Sequence, residues 1–453
     1  MKKVLIISYY WPPSGGSGVQ RWVKFAKYLP AEGWQAVVYT PSNPEAPARD
    51  ESLGAEVADV EVIRRRIVEP YAVYAGLFRR EKAAAPSVNP VDGGRRSLAG
   101  RVAMWLRGNL FIPDPKCLWI QPSVRFLTKY LHAHPVDAIV STGPPHSMHL
   151  IARGVSRATG IPWVADFRDP WTKIFYFKHL SLTPFARHRH EALEKQVLDG
   201  ADRVVAVSPM VQDEFRLMTG TPVALITNGY DPDDYPRETA LPAPSRSAFR
   251  ITHTGLFARD GIPAALWEVL AEKCAADPSF AASLQLRLVG KTDREVLESI
   301  AAAGLTPYLT DRGYQEHAEA VREQRTADIL LLPLRKEPEY RAVLPGKLFE
   351  YLGARRPVLG IGAPDGAMAR IVSSSFPGGV GAGEVFDWED KAGMAAFVDD
   401  IWRGRALFAP DGETVARYSR RSTAAAMARL LDEVTRQEDT SAKEQSKSNP
   451  LER

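Results

Sequence analysis

The stretch Pro345-Gly346-Lys347-Leu348-Phe349-Glu350-Tyr351-Leu352 sets a cation and a carboxylate one helical turn apart. It follows an apolar run and an irregular loop and opens a helix. Lys347 therefore falls in the first turn, within reach of a phosphate, and Glu350 lies on the same face. A cation for phosphates beside a carboxylate for sugar hydroxyls is the pairing a nucleotide-sugar would need. The same spacing also suits an exposed salt bridge. Three further loops follow apolar runs, at the edge where open α/β sheets place their ligands. Asp166-Phe167-Arg168-Asp169-Pro170-Trp171 brackets an arginine with two carboxylates, as a ligand site or an ion-paired loop would. Thr142-Gly143-Pro144-Pro145-His146-Ser147 carries a histidine suited to catalysis or to a structural role. Ser14-Gly15-Gly16-Ser17-Gly18 lets the backbone approach a ligand at a helix N-terminus. It is not a dinucleotide fingerprint, because Arg21 stands where the third glycine belongs. There is no His-x-x-x-His, and Cys117 and Cys274 are far apart, so neither a metal cluster nor a disulfide framework is expected.

These loops need a scaffold, and the apolar runs supply it. Lys3-Val4-Leu5-Ile6-Ile7-Ser8 reads as a buried parallel strand. The glycine loop follows, then a helical pattern with Val19, Trp22, Val23, Ala26 and Leu29 on one face. The same order recurs past the middle: a strand at 250–254, the loop 255–261, and a helix at 264–275. Further strands are expected at 36–39, 60–63, 138–141, 163–165 and 204–207, and then at 286–289, 329–332 and 358–361. Strand, turn and helix in alternation predict an α/β fold with mainly parallel sheets. Pro232, Pro236, Pro242 and Pro244 mark residues 231–247 as a linker. The expected organisation is a first domain over 1–235, a second over 248–410, a helix over 411–436 returning to the first domain, and a disordered tail over 437–453.

At 453 residues the chain is too long for one ordinary core and suits two domains of roughly 200 residues each. A net charge of +4 is too small to suggest a nucleic-acid partner. Its distribution says more. Residues 64–107 hold ten basic side chains (Arg64, Arg65, Arg66, Arg79, Arg80, Lys82, Arg95, Arg96, Arg101, Arg107) against Glu69, Glu81 and Asp92, a local balance of +7. Interleaved aromatic and aliphatic residues make this stretch a candidate for an anionic membrane surface or an ordinary solvated face. The first apolar run, Val4-Leu5-Ile6-Ile7, is shorter than a signal peptide's core, and no run approaches the roughly 18 apolar residues of a membrane span. A cytoplasmic location, peripheral to the membrane at most, is expected.

With Gly15-Gly16, Ala201-Asp202-Arg203-Val204-Val205-Ala206-Val207-Ser208, Thr227-Asn228-Gly229-Tyr230-Asp231, Gly255 with Arg259, Leu288-Val289-Gly290, Ala327-Asp328-Ile329-Leu330-Leu331-Leu332-Pro333 and Lys347-Leu348-Phe349-Glu350-Tyr351-Leu352, the chain resembles the family-4 glycosyltransferases. These are retaining enzymes of the GT-B fold, two Rossmann-like domains with a cleft between them. The resemblance spans nearly the whole chain. Two departures stand out: the family's Glu-x7-Glu has Ala342 at its first position, and Asp260 replaces the lysine after Arg259. The resemblance implies a nucleoside diphosphate sugar as donor, with no separate cofactor and no metal. It assigns the base to the backbone of Gly313 and Tyr314, the diphosphate to Arg259 and Lys347, and the ribose to Glu350. Gly255 and Leu348 belong to the same donor-binding motifs, and Gly15 and Gly16 admit the phosphates from the first domain. His146, Asp166, Arg168 and Asp169 are candidates for the acceptor side, and the acceptor is a glycan or a lipid-linked sugar. A non-catalytic nucleotide-sugar-binding protein, or an epimerase or phosphorylase on the same scaffold, is the alternative, since fold does not fix function.

Overall fold

The computed structural model of the chain describes residues 1–45, 49–68, 105–235, 248–372, 381–405 and 412–447. Most of the basic stretch 64–107 and of the linker 231–247 lies outside the described residues. Two compact units emerge: Met1–Thr227 with Ala424–Arg453, and Asn228–Thr423.

The first unit is built on a seven-stranded sheet in the order β3-β2-β1-β4-β5-β6-β7. Its strands are β1 (Lys2–Ile7), β2 (Trp34–Pro41), β3 (Glu61–Arg65), β4 (Ala138–Gly143), β5 (Trp163–Phe167), β6 (Arg203–Ala206) and β7 (Val223–Leu225). Every pairing is parallel. Strands flanked by helices on both faces must be apolar throughout, and β4 and β5 are buried at every position. The strand order reverses between β1 and β4. At such a switch point the loops leaving neighbouring strands turn to opposite faces and open a crevice at the strands' carboxyl ends. The glycine loop and the His146 loop leave these two strands, and the Asp166–Asp169 corner leaves β5 beside them.

The second unit repeats the plan with six strands in the order β10-β9-β8-β11-β12-β13. They are β8 (Phe249–Thr254), β9 (Leu284–Val289), β10 (Leu309–Asp311), β11 (Ile329–Pro333), β12 (Val358–Ile361) and β13 (Gly383–Phe386), again all parallel. Here the reversal falls between β8 and β11, whose exits carry Gly255 and the loop leading to Lys347.

The final helix runs Arg420–Lys447. Ala424, Met427, Leu431 and Val434 on it join the first unit's core with Val4, Trp22 and Val38. The tail expected to be disordered from residue 437 is helical as far as Lys447. Its Glu, Gln, Lys and Ala residues lack a core-forming pattern but have high helix propensity, and they extend a helix already nucleated by packing.

Candidate functional site

In the second unit, helix Gly346–Ala354 delivers Lys347 to the exit of β8. The ammonium donates to the carbonyl of Leu256 at 2.6 Å and to Nε2 of His253 at 3.0 Å. His253 is buried, and its Nδ1 lies 2.9 Å from the carbonyl of Leu331, a group that only accepts. Nε2 also lies 3.3 Å from the carbonyl of Leu256, but the nearer Lys347 ammonium can only donate, so the ring hydrogen belongs on Nδ1 and Nε2 accepts from Lys347. Burial, and then the neighbouring ammonium, push the imidazole down to about 3, so the ring is neutral. Burial also pulls the Lys347 ammonium down to about 8, against the opposing pull of Glu350. No carboxylate forms an ion pair with Lys347 among the described residues, so its charge is half-buried on neutral acceptors.

The backbone around it is shaped to match. Gly255 has φ +82°, and a Cβ there would stand 2.8 Å from Cε of Lys347. Gly290 at the end of β9 has φ +133°, and a side chain there would collide with the carbonyl of Gly255. Gly255 N donates to Val289 O and Gly290 N to Gly313 O, each at 2.7 Å, which laces the exits of β8, β9 and β10 together. Glu350 accepts from Nε2 of Gln324 at 3.1 Å. The same amide donates to Oγ1 of Thr254 at 3.0 Å, and its oxygen accepts from Tyr235 Oη at 2.6 Å. Gln324 thus orients the carboxylate from helix His317–Thr326. Tyr314, just past β10, is 86 % exposed. Leu348 is wholly buried, so it anchors the helix and offers no surface to a ligand. Arg259 sits at the surface between Asp260 (3.5 Å) and Glu295 (3.7 Å).

In the first unit the four acceptor-side candidates separate by role. Asp166 is fully buried and accepts from Arg21 Nη2 (2.8 Å) and Nε (3.2 Å), Trp22 Nε1 (2.8 Å) and Thr142 Oγ1 (3.0 Å). Burial pushes its carboxyl up, but Arg21 and these donors outweigh it and hold the group below its ordinary value. Fully buried among these donors, Asp166 offers no exposed oxygen to a substrate; it is a structural knot. Arg168 spends its guanidinium on the carbonyls of Gly18 (2.7 Å), Gly143 (3.3 Å) and Pro144, stapling the loops that leave β1 and β4. Asp169 is half-buried and makes no hydrogen bond or ion pair among the described residues; burial raises its carboxyl, opposed by Arg168. His146 is 4 % exposed and lies flat on Trp171, with centroids 4.6 Å apart and planes at 3°. Neither of its ring nitrogens finds a partner among the described residues. Burial, then His149, drive its protonation well below the usual range, so it is a neutral imidazole. Trp171 is itself fixed: its Nε1 donates to His190 Nδ1 at 3.1 Å and its backbone N to Glu194 at 3.0 Å. Gly16 has φ +101° and open space around it, whereas a Cβ on Gly15 would stand 3.0 Å from Asp50 Cβ, so of the two Gly16 leaves its backbone bare for a ligand.

Arg21, His253, Gln324 and Trp171 are the participants that spacing alone misses. The sequence also contains one Asp-x-Asp spacing, Asp231 and Asp233, but Asp231 caps the turn Pro232–Asp234 through the Asp233 amide at 3.0 Å. Among the described residues no three His, Cys, Asp or Glu side chains are grouped to hold a metal. In the described part of the basic stretch, Arg64 donates to Pro12 O at 2.8 Å, and Arg65 lies over the Phe126 ring at 4.3 Å.

Residues 15–229 match the family model described as glycosyl transferase 4-like domain. No curated protein sequence matches the chain. Among solved structures, the Anabaena protein HepE, crystallised with UDP and glucose, is 14 % identical over 98 % of this chain and all of its own, with a TM-score of 0.53. The sucrose-phosphate synthase of Thermosynechococcus elongatus is 13 % identical over 99 % of this chain and all of its own, at 0.54. The lipopolysaccharide outer core galactosyltransferase WaaB is 12 % identical over 95 % of this chain and all of its own, at 0.57. At such identities the likeness speaks for the fold: two Rossmann-like units of the GT-B type.

Proposed function

We propose that the chain, in which residues 15–229 match the glycosyl transferase 4-like domain model and whose fold is similar to that of GT-B enzymes, is a glycosyltransferase that moves a sugar, with retention, from a nucleoside diphosphate sugar to a glycan or lipid-linked acceptor in cell-surface polysaccharide synthesis. The observation that carries this reading is Lys347: a half-buried ammonium resting on a histidine and a carbonyl, beside a glycine turn, with no carboxylate paired to it. A buried charge without a counter-charge is costly, and an arriving diphosphate removes that cost. Lys347 and Arg259 stabilise the leaving diphosphate, which takes up negative charge as the glycosidic bond breaks. Glu350, steered by Gln324, receives ribose hydroxyls. The acceptor hydroxyl attacks from the face the diphosphate leaves, with Asp169 and the neutral ring of His146 on the acceptor side. The charge is met by protein cations, so the reaction proceeds without a metal. The basic stretch 64–107 docks the enzyme on an anionic membrane that carries the acceptor.

The test is release of free diphosphate from UDP-, GDP-, ADP- and dTDP-sugars, with and without a lipid-linked or oligosaccharide acceptor, in EDTA. Acceptor-dependent release of one nucleotide supports the reading. Release indifferent to every acceptor, interconversion without release, or activity that returns only with magnesium or manganese overturns it.

A further inference from the structure

We propose that His253 is a positioning residue for the donor site: as a neutral acceptor it aims the ammonium of Lys347 at the place where the donor's diphosphate sits. The proposal rests on the reading of Lys347 as a diphosphate ligand and adds a device that the motif around Lys347 does not contain. A lysine has four rotatable side-chain bonds and a strongly hydrated head, so a lone lysine is a poor aiming device. Here two fixed acceptors remove that freedom. Leu256 O belongs to the turn after β8, and His253 Nε2 belongs to β8 itself. The histidine is locked in turn, because Nδ1 donates across the switch point to Leu331 O on β11, and its ring packs on Phe257 at 4.4 Å.

The tautomer matters as much as the position. With Nδ1–H committed to Leu331 O, the nitrogen facing Lys347 has a lone pair and no proton. A protonated ring would present a like charge to the ammonium, and burial rules that form out by pushing the imidazole down to about 3. The ring therefore stays an acceptor at neutral and alkaline pH. Among the described residues, the ionisable groups that face Lys347 are His253 from β8 and Glu350 from its own helix; Glu350 raises its proton affinity while burial lowers it to about 8. Two of the ammonium's three hydrogens are used by Leu256 and His253, and the third is free for a phosphate oxygen. Losing the His253 acceptor leaves the cation less stabilised, so it gives up its proton at lower pH.

Two substitutions separate aiming from packing. In His253→Asn the amide overlays Nδ1 and keeps the donor to Leu331 O, but the side chain is too short to reach Lys347. In His253→Gln the carboxamide oxygen falls near Nε2 and restores the acceptor. Isothermal titration with UDP, GDP, ADP and dTDP from pH 6 to 9.5 identifies the nucleotide and follows its affinity. For the wild type, affinity is flat at neutral pH and falls above about 8. His253→Asn should bind about threefold to tenfold more weakly at pH 7, with the alkaline fall beginning about half a pH unit or more lower; His253→Gln should recover most of both. In a Lys347→Ala background, His253→Asn should have no further effect on affinity, whereas a packing role would cost the same in either background. Wild-type midpoint and affinity in a folded His253→Asn, equal losses in Asn and Gln, or additive losses with Lys347→Ala would each overturn the proposal. Wild-type protein that binds none of the four diphosphates would overturn the donor-site reading itself.

Discussion

The balance at Lys347 decides what its removal should do. Burial makes the ammonium easier to deprotonate, yet at pH 7 a group titrating near 8 is still mostly charged. One charge-assisted contact contributes about 1.5–3 kcal/mol, so Lys347→Ala should weaken nucleoside diphosphate binding about tenfold to a hundredfold by calorimetry. Undiminished affinity in the folded variant would remove Lys347 from the site. On the proposed reading Arg259 should contribute less than Lys347, because its side chain is exposed between Asp260 and Glu295. Exposed ion pairs are worth about 0–1 kcal/mol, so a diphosphate can draw the guanidinium away, and Arg259→Ala should cost less than Lys347→Ala. On the acceptor side the unengaged carboxylate belongs to Asp169. Asp169→Asn should lower kcat about a hundredfold or more, the scale of positioned proton transfer, while diphosphate affinity holds. Loss of diphosphate affinity alongside kcat would place Asp169 on the donor instead.

Between elements, the buried pair of Arg21 and Asp166 ties the helix Ser17–Tyr28 to β5, and Arg21 also donates to the carbonyls of Ile226 and Thr227 at 2.9 Å. Breaking a buried pair from one side leaves an uncompensated charge and costs about 3–5 kcal/mol. Asp166→Asn should lose roughly that much stability at pH 7 in urea unfolding. The sign with pH follows from the lowered carboxyl. Its stabilisation is complete above the ordinary carboxylate range and is lost as pH falls through the lowered value. The gap between wild type and Asp166→Asn should therefore close toward pH 3, and a gap independent of pH would assign the loss to packing. The sequence showed Asp166 only as one of two carboxylates around an arginine, because its true partner is 145 positions away and no local pattern reports such a pairing. The buried strands were legible because they are continuous apolar runs: Leu330, Leu331 and Leu332 need no context to read as a strand. β7 and β10 have only three residues each, and β13 opens on Gly383, so their backbone pairing leaves almost no trace in residue type. Lys347 and Glu350 were legible through helical spacing. His253 looks like one more residue of a strand until β11 places Leu331 O beside it.

For the molecule as a whole, the net charge of +4 conceals a division in which residues 64–107 carry +7 and the rest of the chain sums to −3. No helix among the described residues is long and apolar enough to cross a membrane. Each Lys or Arg near an anionic leaflet gains about 1 kcal/mol within a Debye length. Arg64 and Arg65 are already engaged by Pro12 and Phe126, which leaves the greater part of the attraction to Arg79, Arg80, Lys82, Arg95, Arg96 and Arg101. On that arithmetic several such charges together would exceed the few kcal/mol needed for reversible binding, and the aromatic and aliphatic residues between them would add to it at an interface. Liposome sedimentation should therefore show binding that rises with the fraction of anionic lipid and falls as salt is added. Replacing Arg95, Arg96 and Arg101 by Glu changes the local balance from +7 to about +1, and should release the protein from the pellet without altering its affinity for nucleoside diphosphate. Absence from the pellet at every salt concentration would make the stretch a solvated face and leave the acceptor to reach the enzyme from solution.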